Sequence, residues 1–249
     1  MKILVNGACG RMGSVLCDLL ACGYRGHTAI AVDPAAAKGS SVYRSLDAVS
    51  ERPDILIDFS HHSATASLCD YALRQHLPAV IATTGHTGTE LSRIYRTASH
   101  LPLFFSANLS LGMALFSQLV RTAAAVLPES EIEIIELHHD KKLDAPSGTA
   151  QKLAEELRSF RPEGQIVANA CGHGIRPPEE IRIHSLRMGS HAGSHTVCFG
   201  SDDQTLTLTH TAHTPRLYAA GAIRAAEFLI TQRPGLYGMP HLLSALNNT

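Results

Sequence analysis

The amino-acid sequence predicts an α/β protein, a doubly wound parallel sheet with an inserted α+β domain that contains an antiparallel or mixed sheet. Three observations lead to this prediction. Short runs of Val, Ile and Leu alternate with helical patterns in the first part of the chain, a glycine-rich turn follows the first run, and single apolar residues alternate with polar ones between Ile181 and His210. Strands that alternate with helices require crossover connections, so they form a parallel sheet with helices on both faces.

Five apolar runs predict the strands of the parallel sheet, and apolar residues at helical spacing between them predict helices. The strands are expected at residues 3–5, 29–32, 54–58, 79–81 and 103–105. The helices are expected at residues 15–20, 64–73 and 91–98.

After residue 108 the pattern changes. The expected elements are a helix at 111–127 ended by Pro128, a strand at 132–137, a helix at 145–160 with Ser147 as its N-cap, a loop at 168–178, antiparallel strands between 181 and 210, and a last helix at 217–230 before a Pro-Gly turn. Single-residue alternation of this kind is typical of strands with one face on a core and one in water.

Composition and charge exclude several classes of protein. The chain has 21 Lys and Arg against 22 Asp and Glu, no Trp and an aromatic share of 5%. Phosphate neutralisation needs an excess of cations, so no nucleic-acid partner is expected. No stretch approaches the roughly 20 apolar residues of a bilayer span, so no membrane partner is expected. Six Cys without a Cys-x-x-Cys pair are typical of reduced thiols, and we expect a cytoplasmic protein, in which 15 His are unusually many.

A glycine-rich turn, Gly-Ala-Cys-Gly-Arg-Met-Gly at residues 7–13, follows the first strand and opens the first helix. Glycine lets the backbone turn tightly and approach a pyrophosphate, and the helix N-terminus supplies free N–H groups. Asp33 ends the second strand, where a carboxylate accepts hydrogen bonds from an adenosine ribose. The turn therefore predicts dinucleotide binding by a Rossmann-like sheet, and simple strand–helix packing is the alternative.

Asp33 also favours NADH as the cofactor, because a carboxylate repels the 2′-phosphate of NADPH. Pro34 and three alanines follow it, and Lys38 is the only nearby cation in the sequence that would help NADPH. NADPH stays the alternative cofactor.

Three more loops are expected to reach the same crevice, because ligands of such sheets lie beyond the carboxyl ends of the strands. Residues 82–85 follow the fourth strand and residues 106–109 follow the fifth, while residues 58–60 end the third. Ordinary turn chemistry is the alternative for each loop.

The densest polar cluster lies at residues 136–149, where two His and two Lys follow an apolar strand and Ser-Gly-Thr opens a helix. Backbone N–H groups and hydroxyls at such a turn bind a carboxylate or phosphate, and lysines add positive charge. Histidine titrates near neutrality and exchanges protons. The cluster predicts an anion-binding site with a proton-transfer group, and a solvated loop with a helix cap is the alternative.

This cluster resembles the signature of the 4-hydroxy-tetrahydrodipicolinate reductase (dihydrodipicolinate reductase) family, which acts in the diaminopimelate route of lysine biosynthesis. The matching residues are Glu133, Ile134, Ile135, Glu136, His138, His139, Lys142 and the run Asp-Ala-Pro-Ser-Gly-Thr-Ala at 144–150. The similarity continues at residues 7–13, 106–108, 183–187, 208–210 and 221–222.

The resemblance implies a reductase that passes hydride from NADH or NADPH to a cyclic imine dicarboxylate and gives tetrahydrodipicolinate. It implies that His138 and Lys142 are catalytic and that His139, Gly148 and Thr149 bind the substrate carboxylates. The residues implied to bind the cofactor are Gly7, Ala8, Cys9, Gly10, Arg11, Met12, Asp33, Ala82, Thr83, Thr84, Ser106, Ala107, Asn108 and Leu109. It also implies a homotetramer formed through the sheet of the inserted domain.

The sequence departs from the family pattern at a few positions. Ala82 stands where the family usually has Gly, Leu109 replaces a common Phe, and Ser194 replaces a usual Glu. The loop at 60–62 lacks its usual Pro. These departures concern cofactor preference and the substrate loop rather than the reaction.

We expect residues 1–108 and 216–249 to form the dinucleotide-binding domain, and 109–215 the substrate-binding and oligomerisation domain. Another nicotinamide-dependent dehydrogenase of similar layout and a non-catalytic dinucleotide sensor are the alternative functions. No metal site is expected, because the His pairs 191/195 and 210/213 lie in strands and turns and no Cys or acid completes a tetrahedral set.

Overall fold

The computed structural model describes residues 1–171 and 173–247 of the chain. They divide into two compact units, one made of Met1–Leu111 with Pro215–Thr249 and the other of Gly112–Thr214. Among the described residues, no helix is long and apolar enough to cross a membrane.

The first unit is built on six parallel strands with helices between them. Its elements are β1 (Lys2–Asn6), α1 (Arg11–Ala21), β2 (Thr28–Val32), β3 (Ile55–Asp58), α2 (Thr65–Gln75), β4 (Ala79–Ile81), α3 (Gly88–Ala98), β5 (Pro102–Phe105), α6 (Arg216–Leu229), β11 (Gly235–Tyr237) and α7 (Met239–Asn247), with short 3-10 turns at Tyr24–Gly26, Leu46–Ala48 and His62–Ala64. The strand order is β11-β5-β4-β3-β1-β2, and every pairing is parallel. The chain order reverses beside β1, which is the switch point where such sheets bind ligands.

The sequence explains why α6 lies so close to the rest of this unit. Ala219, Ala222, Ala225 and Ala226 are all buried along it. A Cβ atom on Gly221 would lie 1.7 Å from the carbonyl oxygen of Leu109. Small residues on one helix face therefore allow backbone contact there.

The second unit is a five-stranded sheet with two helices. Its elements are α4 (Leu111–Val126), β6 (Glu131–His138), α5 (Gly148–Arg158), β7 (Gln165–Ala168), β8 (Glu180–Arg187), β9 (Gly193–Gly200) and β10 (Thr205–Ala212). The order is β10-β9-β6-β8-β7. Alternate residues of the strands pack with both helices in one core, whose largest members include Phe116, Leu153 and Phe199.

The predicted fold class is confirmed, with corrections in detail. The strands between 181 and 210 are not all antiparallel, because β8 runs parallel to both β6 and β7. Alternation reports which face is buried but says nothing about strand direction. β7 and β11 were not predicted, since each is a short run with a weak pattern. The helix expected from residue 145 begins at Gly148, because Ser147 has extended backbone and its Oγ accepts from the backbone N of Ala150 (3.2 Å).

Candidate active site

The glycine turn after β1 is shaped for close backbone approach. A Cβ on Gly13 would lie 2.0 Å from the carbonyl oxygen of Gly7, and a Cβ on Gly7, whose φ is +80°, would lie 2.7 Å from the backbone N of Ser60. The N–H groups of Gly7 and Ala8 donate to the carbonyl of Val32 at 2.9 and 3.1 Å. The turn thus packs too closely for a Cβ at residues 7 and 13 and lies at the N-terminus of α1, an arrangement that fits the pyrophosphate of a dinucleotide.

Asp33 is 7% exposed and fixes this turn. Its Oδ2 accepts from the backbone N of Cys9 (2.9 Å), and its Oδ1 accepts from the backbone N of Ala35 (2.8 Å). Lys38 is not the only cation nearby, because Nη2 of Arg44 donates to the carbonyl of Pro34 (3.2 Å). The sequence did not reveal Arg44, which contacts Pro34 from ten residues away in the chain.

The carboxyl ends of β1, β3 and β4 meet at the buried carboxyl group of Asp58. Its Oδ1 accepts from Nδ2 of Asn6 (2.7 Å) and from Oγ of Ser60 (2.6 Å), and its Oδ2 accepts from Oγ1 of Thr83 (3.4 Å). Burial raises the pKa of Asp58, against the lowering effect of these hydrogen bonds. Asp58 thereby links β1, the strand before the glycine turn, to the loop that begins at residue 82.

The other residues expected to bind the cofactor differ in exposure. The exposed or partly exposed ones are Cys9, Gly10, Arg11, Met12, Ala82, Thr84, Ser106, Ala107 and Asn108. Thr83 and Leu109 are buried. Both the carbonyl and the Cβ of Leu109 lie close to Gly221 of α6, so the Leu109 side chain is part of the packing between this loop and α6. Ser106 Oγ donates to the carbonyl of Asn108 (2.7 Å), which gives this loop a tight internal bond.

In the second unit, His138 ends β6 and is held by a buried carboxylate. Glu136 is fully buried, and its Oε2 lies 2.5 Å from Nδ1 of His138. Arg187 at the end of β8 donates from Nη1 to Oε2 (3.0 Å) and from Nη2 to Oε1 (2.7 Å) of Glu136. Burial alone would raise the pKa of Glu136, but the bonds from Arg187 and His138 outweigh it and lower the pKa to about 2.

Gly193 lies beside Nε2 of the His138 ring. A Cβ on Gly193 would lie 2.9 Å from Nε2 of His138. Burial lowers the pKa of His138, against the raising effect of Glu136. The buried ring of His195 lies beside it, with centroids 5.3 Å apart in an edge-on arrangement.

The N-terminus of α5 is anchored through Ser147. Its backbone N donates to Oε1 of Glu136 (3.1 Å), and its Oγ lies 3.1 Å from Nε2 of His195. Burial lowers the pKa of His195 to about 4, so this ring is neutral near pH 7. Gly148 and Thr149 follow Ser147 in the first turn, where backbone N–H groups have no partner within the helix and donate to acceptors outside it, such as an anion.

Lys142 lies in the connection between β6 and α5. Its Nζ is 2.7 Å from Oδ1 of Asp144, and its backbone N donates to the carbonyl of His139 (3.2 Å). The bond from Lys142 lowers the pKa of Asp144. His139 is placed by its own backbone N, which donates to the carbonyl of His191 (2.9 Å). Over the described residues, no group of three or more His, Cys, Asp or Glu is arranged to hold a metal ion.

The chain is similar over its whole length to known reductases. Residues 1–109 match the family described as Dihydrodipicolinate reductase, N-terminus, and residues 112–243 match Dihydrodipicolinate reductase, C-terminus. The chain belongs to the dihydrodipicolinate reductase family.

Two curated relatives align with nearly the whole chain. The 4-hydroxy-tetrahydrodipicolinate reductase of Caldanaerobacter subterraneus is 37% identical, over 98% of both chains, and that of Akkermansia muciniphila is 40% identical, also over 98% of both. A solved structure, dipicolinate-bound dihydrodipicolinate reductase from Paenisporosarcina, superposes with a TM-score of 0.77 at 26% identity, covering 96% of this chain and 97% of the other.

In this member of the dihydrodipicolinate reductase family, His138, Lys142, Gly148 and Thr149 lie in the segment 138–149 of the second unit. The residues expected to bind the cofactor lie in the first unit. Two residues that support this segment were not evident from the sequence. They are Arg187, which pairs with Glu136, and His195, which contacts Ser147. Both pairs lie far apart in the chain, at separations of 51 and 48 residues, and no local pattern reports such pairs.

Proposed function

We propose that this protein is a 4-hydroxy-tetrahydrodipicolinate reductase, which forms tetrahydrodipicolinate in the diaminopimelate route of lysine biosynthesis. The observation that carries the proposal is the His138–Glu136–Arg187 arrangement beside the N-terminus of α5, in a chain of this family. A proton-exchanging ring, a lysine and an anion-binding helix end are what reduction of an imine dicarboxylate requires.

When bound, the nicotinamide supplies hydride, and the protein supplies the proton. Hydride addition to a conjugated imine leaves an electron-rich enamine carbon that must be protonated. We assign this proton transfer to His138 and Lys142, because each has a polar atom that can carry a proton. His138 ends β6, and Lys142 lies in the connection that follows it. His139 and the N–H groups of Gly148 and Thr149 bind the two carboxylates.

The cofactor is proposed to be NADH, bound at the glycine turn and the loops that begin at residues 82 and 106. The buried Asp33 carboxylate supports NADH, because it would repel a 2′-phosphate. Arg44 is, with Lys38, a nearby cation that would assist NADPH. Comparing kcat/KM for the two cofactors at matched concentrations tests this assignment, and a strong preference for NADPH contradicts it. An Arg44→Ala variant is expected to lower activity with NADPH more than with NADH.

The protein is proposed to be a cytoplasmic homotetramer assembled through the outer face of the second unit's sheet. On this face Ile135 is 37% and Leu186 51% exposed, and Met188 just beyond β8 is 57% exposed. The hydroxyl pairs Ser194–Thr211 and Thr196–Thr209, each 3.0 Å apart, line the same face. Light scattering is expected to give the tetramer mass for the wild type and a smaller species for Leu186→Lys.

The reaction is tested by incubating the protein with NADH and freshly prepared substrate and following the loss of NADH. Substrate-dependent oxidation is expected, with inhibition by pyridine-2,6-dicarboxylate. Binding of NADH without any substrate-dependent oxidation would instead support the dinucleotide sensor. Oxidation with amino acids or semialdehydes and none with this substrate would support another dehydrogenase.

A further inference from the structure

The Glu136 carboxylate contacts both chemical parts of the second-unit site. One oxygen, Oε2, lies 2.5 Å from Nδ1 of His138, and the other, Oε1, accepts from the backbone N of Ser147 at 3.1 Å. We propose that Glu136 is a positioning residue, which holds the proton-transfer histidine and the anion-binding end of α5 in fixed relative positions. This inference rests on the proposed function and adds to it a residue that touches neither substrate nor cofactor.

The contact with His138 fixes which ring nitrogen carries a proton. An ionised carboxylate only accepts hydrogen bonds, so Nδ1 of His138 must be the donor. Nε2 is then the atom that gains or loses the exchanged proton. The backbone of Gly193 passes beside Nε2, where any Cβ would be 2.9 Å away, so no side chain of residue 193 covers that atom. Orientation by a buried carboxylate is a known way to keep a catalytic histidine in one tautomer.

The contact with Ser147 fixes the helix end. Ser147 is held through its backbone N by Glu136 and through its Oγ by His195, while the same Oγ accepts from the backbone N of Ala150. The N–H groups of Gly148 and Thr149 come directly after it. A displacement of the Glu136 carboxylate therefore moves His138 and this helix end together.

Arg187 keeps the carboxylate in its charged form and in one orientation. Its two Nη atoms each donate to a different oxygen of Glu136, and Nη2 also donates to the carbonyl of Asp144 (2.6 Å). Two parallel N–H···O bonds set the plane of a carboxylate more tightly than a single bond from lysine would. Arg187 also fixes the connection that carries Lys142 through this third bond.

The charged and titratable groups around His138 come from four parts of the unit. They are Glu136 on β6, Arg187 on β8, His195 on β9 and Lys142 in the connection to α5. Of these, Glu136 raises the pKa of His138, whereas Lys142 and Arg187 lower it. Replacing Glu136 with a neutral group of the same shape therefore moves the titration of His138 to lower pH.

The decisive variant is Glu136→Gln, which keeps the shape of the side chain and removes its charge. An amide group turned toward Arg187 or His138 opposes one N–H donor with another, so the paired bonds are lost. We expect kcat to fall about 100-fold, since proton transfer by a positioned group contributes that much or more. We also expect weaker binding of pyridine-2,6-dicarboxylate, an unchanged Kd for NADH and a shift of the pH–rate profile to lower pH.

Glu133→Gln is the matched control. Glu133 lies on the same strand but faces the other side of the sheet, where its Oε1 accepts from Nε of Arg176 (2.9 Å) and its Oε2 lies 2.7 Å from Nε2 of His184. The same substitution there also removes one Arg and one His partner. Compared in the same oligomeric state, this variant is expected to keep kcat within about two-fold, with the wild-type pH profile, because only the Glu136 contacts reach the proton-transfer ring.

The proposal is overturned if Glu136→Gln keeps the wild-type kcat and pH profile and loses only thermal stability. If Glu136→Gln does not fold, Arg187→Lys replaces it, since lysine keeps the charge but not the paired bonds. That variant is expected to lower kcat, and unchanged kcat and pH profile contradict the proposal. An inactive wild type would contradict the proposed function instead, so the two failures are distinct.

Discussion

Nζ of Lys142 lies 2.7 Å from Oδ1 of Asp144, in the segment that is expected to bind the substrate. The Gly148 backbone N–H also helps to lower the pKa of Asp144, after the larger effect of the Lys142 bond. A carboxylate of the protein therefore contacts Lys142, to which we assign proton transfer, and the Gly148 N–H, which we assign to a substrate carboxylate. The dicarboxylate must compete with Asp144 for them.

Replacing Asp144 with Asn is expected to tighten binding of pyridine-2,6-dicarboxylate about two- to five-fold, the range that corresponds to an exposed ion pair. Calorimetry measures the change directly. Asp140→Asn is the control, because it removes another exposed acid from the same connection without releasing Lys142. Weaker binding to Asp144→Asn would mean that Asp144 aligns Lys142 rather than competing for it.

Replacing Lys142 with Ala is expected to lower kcat about 100-fold or more while the Kd for NADH is unchanged. The reason is that Lys142 lies in the second unit with the proton-transfer histidine, whereas the glycine turn lies in the first unit. Lys141→Ala removes the exposed neighbouring lysine and serves as the control. Loss of NADH binding by Lys142→Ala would show that the assigned role is wrong.

The fold class was predictable because its signals are local. Each strand of the parallel sheet is a short apolar run, and each crossover helix repeats apolar residues at its own period. The direction of β8 was not predictable, since the period of a strand is the same in parallel and antiparallel pairs. β11 is three residues long and lies next to β5 only because the chain returns there after α6.

In the candidate site too, some residues could be found from a local stretch of sequence and others only from the fold. His138, Lys142 and Ser147 lie within ten residues of each other, so one stretch of sequence displayed them together. Arg187 and His195 join them only because β8 and β9 pair on either side of β6. Side-chain partners of this kind depend on strand order, which a single sequence does not contain.

Burial of the His195 ring makes the free energy of unfolding fall as the pH is lowered below about 6.5. Its pKa is lowered to about 4, below the ordinary value of about 6.5 that it regains on unfolding. The unfolded chain therefore binds more protons between these two values, and the stabilising contribution is present above pH 6.5 and lost as the pH falls toward 4. The loss from this ring at pH 5 is about 2 kcal/mol.

His195→Gln removes this ring, so its free energy of unfolding is expected to change less between pH 7 and pH 5 than that of the wild type. Urea unfolding at the two pH values measures both changes. His100→Gln, at an exposed position, is expected to retain the wild-type dependence. Equal dependence in His195→Gln and the wild type would contradict the burial argument.

The glycine turn offers the sharpest test of the cofactor site. A Cβ on Gly13 would lie 2.0 Å from the carbonyl oxygen of Gly7, so Gly13→Ala must push the turn away from α1. We expect NADH binding to weaken by at least 10-fold and the Tm to fall, because the displaced turn no longer presents its backbone to the pyrophosphate. Gly88→Ala at the start of α3 is the control, since a Cβ there meets nothing within 4 Å. Fluorescence titration with NADH gives the Kd, and a wild-type Kd for Gly13→Ala would exclude this turn from the cofactor site.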